Sequence, residues 1–178
     1  MEESRTVKTV RVGWDYIEKS MRALSDDDRD VPLALDLFHT LGVIKLATLL
    51  ANKRGLSPEI VTITMVLHDH GRLLTGVWDG HDKISPPIAR KILKDIGEFT
   101  PEEIDQILKL IRTHRLKDET GDPYEECIRD ADVLDVYLAG TAGFTRDVEP
   151  LREYVVKNKK RLENLAQELG FTLVVPSD

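Results

Sequence analysis

The feature that most constrains this chain is a series of helix-start signals, each followed by apolar residues at helical spacing. A capping residue precedes a proline at the first helical position, and in two cases an acidic residue completes a capping box. The three signals are Ser57-Pro58, Thr100-Pro101-Glu103 and Asp122-Pro123-Glu125. Strand character is confined to the FTLVV segment near the C-terminus. The sequence therefore predicts an all-α fold.

The same pattern divides the chain into about six to seven helices. The predicted segments are 6–24, with Val10, Trp14, Ile17 and Met21 at helical spacing, then 32–54, 58–70, 85–96, 100–114, 122–138 and 148–169. We expect 32–54 to be a buried helix closed by Gly55, and 72–83 to be a loop. The tail 171–178 should form a short strand or fray. A length of 178 residues suits one domain spanning the chain, with a motif core at about 38–137 and a C-terminal helix at about 148–170.

Charge and cysteine content limit the classes of partner and site. A net charge of −7 argues against a DNA or RNA polymer or an anionic membrane as the partner. The single cysteine, Cys127, excludes an internal disulfide and a cysteine-based metal cluster, so any metal ligands must be histidines and carboxylates. The N-terminus has no hydrophobic signal core, and we expect no apolar run long enough to cross a bilayer, so we expect a cytoplasmic protein.

Histidines and carboxylates occur inside apolar helices, where water is scarce. His39, His68 and Asp132 each lie among apolar neighbours, and buried polar groups of this kind need partners. A shared metal ion would satisfy them together. Asp69 follows His68 directly, and consecutive helical residues point about 100° apart, so one can bind a metal while the other bridges to a second. Mixed imidazole and carboxylate ligands favour Fe, Mn, Co, Ni or Zn over Mg or Ca.

The order of these residues resembles the HD superfamily over roughly 38–137. That pattern is a histidine, here His39, then the doublet His68-Asp69, then an aspartate, here Asp132. The segment LHDHGR at 67–72 is similar to the family's Leu-His-Asp-x-Gly-Lys, with arginine replacing lysine. The segments 80–85 and 111–114 resemble those that carry two further histidines in some members, here His81 and His114.

The resemblance implies a helical HD-domain bundle and a metal-dependent phosphohydrolase. One divalent transition metal would be held by His39, His68, Asp69 and Asp132, and a second by His81 and His114 with Asp69 bridging. The reaction would be hydrolysis of a small nucleotide-like phosphate ester or anhydride by metal-activated water, as a phosphomonoesterase, phosphodiesterase or nucleotide pyrophosphohydrolase. The catalytic residues would be Asp69 and Arg72, and the substrate-binding residues Arg72, Lys83 and Arg115.

Alternatives stay open at this point. HD-type di-iron oxygenases resemble the same ligand order, and a non-catalytic nucleotide-sensing module could retain the fold. Taken singly, His39 could be an ordinary core histidine, His81 and His114 could be solvated, and the basic residues could lie on the surface. Asp135 could orient a ligand histidine, and Trp78 could stack a base. The sequence leaves the oligomeric state open.

Overall fold

Helices make up the regular structure of this protein in a computed structural model that describes residues 3–21, 23–142 and 148–174. They are α1 Arg5–Met21, α2 Leu33–Arg54, α3 Pro58–Leu67, α4 His70–Thr75, α5 His81–Ile96, α6 Pro101–Thr113, α7 Pro123–Thr141, α8 Val148–Lys157 and α9 Lys159–Leu169. A 3-10 turn at Asp26–Asp28 joins α1 to α2, and the described residues contain no strand. The all-α class is confirmed.

At each of the three predicted helix starts, the side chain of the capping residue accepts a hydrogen bond from the backbone of the first turn. The hydroxyl of Ser57 accepts from the backbone N–H of Ile60. Thr100 and Asp122 form capping boxes with the residues three positions later. Gly55 closes α2 in the left-handed region at φ 67°, where glycine is free of the strain that a side chain would bring. These local signals depend only on neighbouring residues, which is why the sequence shows them.

Two breaks raise the helix count above the predicted number. The chain departs from helical geometry at Asp69 (φ −105°) and at Asn158 (φ −99°), which separates α3 from α4 and α8 from α9. The break at Asp69 matters for function, because it lies in the middle of the predicted ligand doublet.

The predicted loop at 72–83 is wrong. Residues 70–75 continue as α4, and α5 already begins at His81, so that the irregular segment shrinks to 76–80. Ser85 does not start α5 but lies inside it, where its hydroxyl accepts a hydrogen bond from the backbone of Gly71 at 2.9 Å. This bond ties α5 to α4, a use of Ser85 that local sequence cannot reveal.

Helix α2 packs against α3 and α7 and is buried along one face only. Val43, Ala47 and Leu50 are inaccessible to solvent, whereas Leu35, Phe38 and Leu41 remain about half exposed. The prediction of a buried helix is therefore wrong for the opposite face. α2 is also long and apolar enough to cross a membrane by length and composition, contrary to our expectation from the sequence. In this fold it is a helix of the bundle, with Asp36 and His39 facing inward.

Helix α1 turns a different face to the core than its apolar spacing indicates. Thr9 and Ile17 are buried, while Val10 and Trp14 are about half exposed. Gly13 explains the rotation, because a Cβ atom there would lie 2.8 Å from Nε2 of His70. The close approach of α1 to α4 fixes the buried face.

The C-terminal segment ends α9 at Gly170, in the left-handed region at φ 76°, as predicted. Residues 171–174 form no strand, but the backbone N–H and carbonyl of Val174 both bond to the hydroxyl of Tyr137. Residues 175–178 of the predicted tail lie outside the described residues. The assignment of the whole chain to one domain stays a prediction.

Candidate metal centre

The break between α3 and α4 places His68 and Asp69 at the centre of the bundle. His68 directly follows α3, and Asp69 precedes the first residue of α4. The other predicted ligands arrive from four further helices: His39 from the middle of α2, His81 from the start of α5, His114 from the end of α6 and Asp132 from the middle of α7. Ligands separated by up to 93 positions thus meet at one point.

Asp69 offers one carboxylate oxygen to each of two histidine groups. Its Oδ2 lies 3.3 Å from Nε2 of His68 and 3.8 Å from Nε2 of His39. Its Oδ1 lies 3.0 Å from Nε2 of His81 and 3.6 Å from Nε2 of His114. Each trio of ligand atoms is close enough to hold one metal ion. A carboxylate shared in this way suits two ions bridged by Asp69.

Every histidine of the centre has its Nδ1 atom occupied. The acceptors are the backbone carbonyls of Met65 for His68 (2.8 Å), Trp78 for His81 (2.5 Å) and Ile111 for His114 (2.6 Å), and the carboxylate of Asp135 for His39 (2.6 Å). Since Nδ1 donates its proton to these oxygens, Nε2 of each ring points inward and offers a lone pair to a metal ion when the ring is neutral. This arrangement is how metal-binding imidazoles are oriented in proteins.

The inward-facing atoms fit a metal ion. Nε2 of His68 and Oδ1 of Asp69 are buried and have no hydrogen-bond partner among the described residues. Nε2 of His81 and Nε2 of His114 lie only 3.1 Å apart, so either a proton or a shared cation must lie between them. Two ligands at about 2.1 Å from one ion lie about 3.0–3.4 Å apart, which matches this spacing.

Asp132 lies beside the first histidine group. Its Oδ1 is 3.3 Å from Nε2 of His39, and its Oδ2 pairs with the ammonium of Lys117. Burial by itself raises the pKa of Asp132, but Lys117 and His39 outweigh it and hold the pKa well below its usual range. Asp132 therefore stays ionised, with Oδ1 available to a cation.

The pKa values of His114 and His39 show which ring is neutral and which carries a positive charge. Burial lowers the pKa of His114 to about 3, so its ring stays neutral. Burial also acts to lower the pKa of His39, but hydrogen bonds to Asp132 and Asp135 outweigh it and raise the pKa to about 10. The carboxylates around His39 thus demand a positive charge, which either a proton or a metal ion can provide.

Arg72 lies in the centre but is already engaged. Its Nη2 is 2.6 Å from Oδ2 of Asp69 and 3.1 Å from Oδ1 of Asp36, and its guanidinium lies 4.5 Å from the ring centroid of Trp78. Sequence reasoning missed Asp36. Its position one turn before His39, on an otherwise apolar helix, is the signal that could have found it.

Of the other two predicted substrate contacts, Arg115 lines the cavity and Lys83 does not. Arg115 lines the cavity above the centre and pairs with Asp82 at 3.1 Å. Lys83 is exposed and does not line the cavity, because it follows the inward-facing His81 by two positions and points about 200° away around α5. Lys117, which follows His114 by three positions, does line the cavity, although it was not among the residues selected as substrate contacts.

A cavity of about 470 Å³ opens onto the metal centre. Asp69, His81, His114 and Asp132 contribute to its lining, and most of the surface that faces it is apolar. The apolar residues of the lining are Val31, Leu35, Phe38, Trp78, Val136 and Ala139. A volume of this size accommodates a small molecule.

Comparison with protein families gives one match. The family model of the HD domain matches residues 37–137, more than half of the chain and a range that contains all six predicted ligands. No match was found among curated proteins or among solved structures.

Proposed function

The chain belongs to the HD domain family, and from that membership we propose that it is a metal-dependent phosphohydrolase of a small phosphorylated molecule. The observation that carries the proposal is the position of Asp69, with one oxygen facing His39 and His68 and the other facing His81 and His114. Such a donor set supports one or two divalent ions of Fe, Mn, Co, Ni or Zn. The family consists mostly of metal-dependent phosphohydrolases.

The protein contributes orientation and charge to this reaction. The hydrogen bonds at Nδ1 fix the four imidazole rings, and Arg72 holds Oδ2 of Asp69 in place. When bound, divalent ions supply an activated water for attack on phosphorus and neutralise charge on the phosphate oxygens. Lys117 and Arg115 bring positive charge to the base and the mouth of the cavity. A small substrate in the cytoplasm, rather than a nucleic acid polymer or a membrane, remains our expectation.

Anaerobic metal reconstitution tests the proposal. We expect the purified chain to retain a transition metal after desalting, measured by elemental analysis, and to release phosphate from a panel of phosphate esters and anhydrides. Asp69→Asn should lose metal and activity together, because the bridging charge is removed. Asp105→Asn is the matched control, since Asp105 is exposed on α6. A chain that retains no transition metal under any of these conditions contradicts the proposal.

The same ligands suit a di-iron oxygenase, because Asp69 lies between two histidine groups as it would in a bridged iron pair. Oxygen consumption by the iron-loaded protein, together with a mixed-valence iron signal, would identify that chemistry. Phosphate release by the anaerobic manganese-loaded protein would identify the hydrolase. Nucleotide binding without turnover under every metal would indicate a sensing module.

A further inference from the structure

Apolar side chains surround the mouth of the cavity. Leu35, Phe38 and Trp78 are 42%, 45% and 45% exposed, although residues of these types are usually buried. They come from α2 and from the 76–80 segment, and they line the same cavity that reaches the metal centre. A cluster of exposed apolar groups around a functional cavity indicates that part of the ligand is apolar.

The cations of the cavity are engaged with carboxylates. The pairs are Arg72 with Asp36 and Asp69, Arg115 with Asp82, Lys117 with Asp132, and Lys157 with Asp118. A diphosphate or triphosphate needs further positive charge beyond the ions that bind its reacting phosphate. Arg72 and Lys117, the described cations of the lining that contact predicted ligands, are held in buried pairs, whereas the pair of Lys157 and Asp118 is exposed and weak. The cavity therefore suits a single phosphate group.

The walls also offer little to recognise a nucleobase. Outside the charged residues and the histidines, the polar side chains that line the cavity are those of Tyr154 and Asn158. The amide nitrogen of Asn158 already donates to the backbone carbonyl of Tyr154. Arg72 covers one face of the Trp78 ring. The Tyr154 hydroxyl and the Trp78 indole N–H are the other neutral groups of the lining, so a base held here would regain few of the hydrogen bonds to water that it loses.

We propose that the substrate is a phosphate monoester of an apolar alkyl or aryl alcohol, a specificity that rests on the phosphohydrolase function proposed above. The phosphate lies at the metal centre, and the apolar group lies against Leu35, Phe38 and Trp78. In the reaction the oxygen of water bonds to phosphorus and the bond from phosphorus to the ester oxygen breaks. The leaving oxygen takes a proton, which gives the alcohol and inorganic phosphate.

A chain-length series tests this specificity in the manganese-loaded full chain. We expect kcat/KM for ethyl, butyl and hexyl phosphate to rise by about threefold to fourfold for each methylene group that the cavity buries. Adenosine monophosphate and glycerol phosphate should be poorer substrates than hexyl phosphate. A flat series, or a nucleotide that is hydrolysed better than hexyl phosphate, would overturn the proposal.

Two variants on one helix localise the effect. Leu35→Asn should reduce the ratio of hexyl to ethyl phosphate kcat/KM by at least tenfold, because Leu35 lines the cavity. Leu41→Asn should leave the ratio unchanged, since Leu41 is exposed on the same helix and does not line the cavity. Equal effects of the two variants would contradict the assignment of the apolar group to this wall.

Binding measurements separate this inference from the function on which it rests. Ethyl, butyl and hexyl phosphonate cannot be hydrolysed, and their affinities can be measured by calorimetry. If no ester is hydrolysed, the proposed phosphohydrolase function fails, but the phosphonate series still decides the specificity. Affinity that rises with chain length, and rises less in Leu35→Asn, supports the apolar site. Affinity that is independent of chain length overturns it.

Discussion

Arg72 lies between two buried carboxylates, and its charge balances only part of theirs. Its guanidinium contacts Asp69 on one side and Asp36 on the other, and all three side chains are nearly inaccessible to solvent. A buried carboxylate without full compensation is costly, because it has lost its hydration. Burial raises the pKa of Asp36 to about 6, although Arg72 acts in the opposite direction.

We predict that Asp36→Asn stabilises the metal-free protein near pH 7. The pKa of Asp36 is raised on folding from 3.8, so the folded state binds more protons than the unfolded state between about pH 4 and 6. Its contribution to the free energy of unfolding therefore becomes less favourable as the pH rises through that interval, by up to about 3 kcal/mol. Urea unfolding of both proteins with a chelator present should show curves that diverge above about pH 4. Parallel curves would contradict the buried-charge cost.

At the scale of elements, α2 and α7 approach closely enough for Asp135 to reach His39. Gly42 makes that approach possible, because a Cβ atom there would lie 1.8 Å from Oδ1 of Asp135. The carboxylate is in turn fixed by its hydrogen bond to Nδ1 of His39. One glycine thus links the packing of two helices to the orientation of a metal ligand.

Gly42→Ala should weaken metal binding although alanine favours helices. In a helix interior this substitution ordinarily stabilises by about 0.5–1 kcal/mol. Here the added methyl group displaces Asp135, so we expect metal affinity to fall by about 10-fold to 100-fold. Metal titration measures the loss, and Leu41→Ala, at the exposed neighbouring position, is the control. Unchanged affinity in Gly42→Ala would show that Asp135 does not orient His39.

The elements also show how far sequence reasoning reaches. The caps at Ser57, Thr100 and Asp122 were predictable, because they use bonds between residues two or three positions apart. The helical class and the family pattern were predictable for the same reason, as order along the chain preserves them. The break at Asp69 and the early start of α5 were not, since both depend on packing between helices.

The site likewise contains residues that the order of the chain predicts and residues whose roles depend on packing. The histidines and aspartates of the family pattern could be read from their order, and the structure brings them together around Asp69. The position of Asp36 one turn before His39 made it a candidate, but the roles of Asp36 and Lys117 could not be predicted, because they arise from partners 33 and 15 positions away, Asp69 and Asp132. Lys83 was predicted from proximity in sequence, but the direction of its side chain on α5 removes it from the cavity.

At the scale of the whole molecule, the centre joins α2, α5, α6 and α7 to the junction of α3 and α4, and it gathers several buried carboxylates at one point. Asp69, Asp132 and Asp135 all lie close to His39, which supplies the compensating charge when it is protonated. A metal ion held by Nε2 of His39 would supply that charge in place of the proton. Metal binding, protonation and the stability of the bundle are therefore coupled.

Metal removal should destabilise the whole protein, and metal binding should release protons. The pKa of His39 is raised to about 10, so at pH 7 its ring carries a proton that a metal ion must displace. Metal affinity should consequently increase as the pH rises from 6 towards 9, by up to tenfold for each pH unit. Calorimetry in buffers with different ionisation enthalpies counts the released protons, and we expect close to one proton for the site formed by His39 and His68. In the same samples a chelator should lower the melting temperature, since a ligand that binds only the folded state stabilises it in proportion to its occupancy. Metal binding that is independent of pH, with no proton released, would show that His39 is not a ligand and that the ion is held elsewhere.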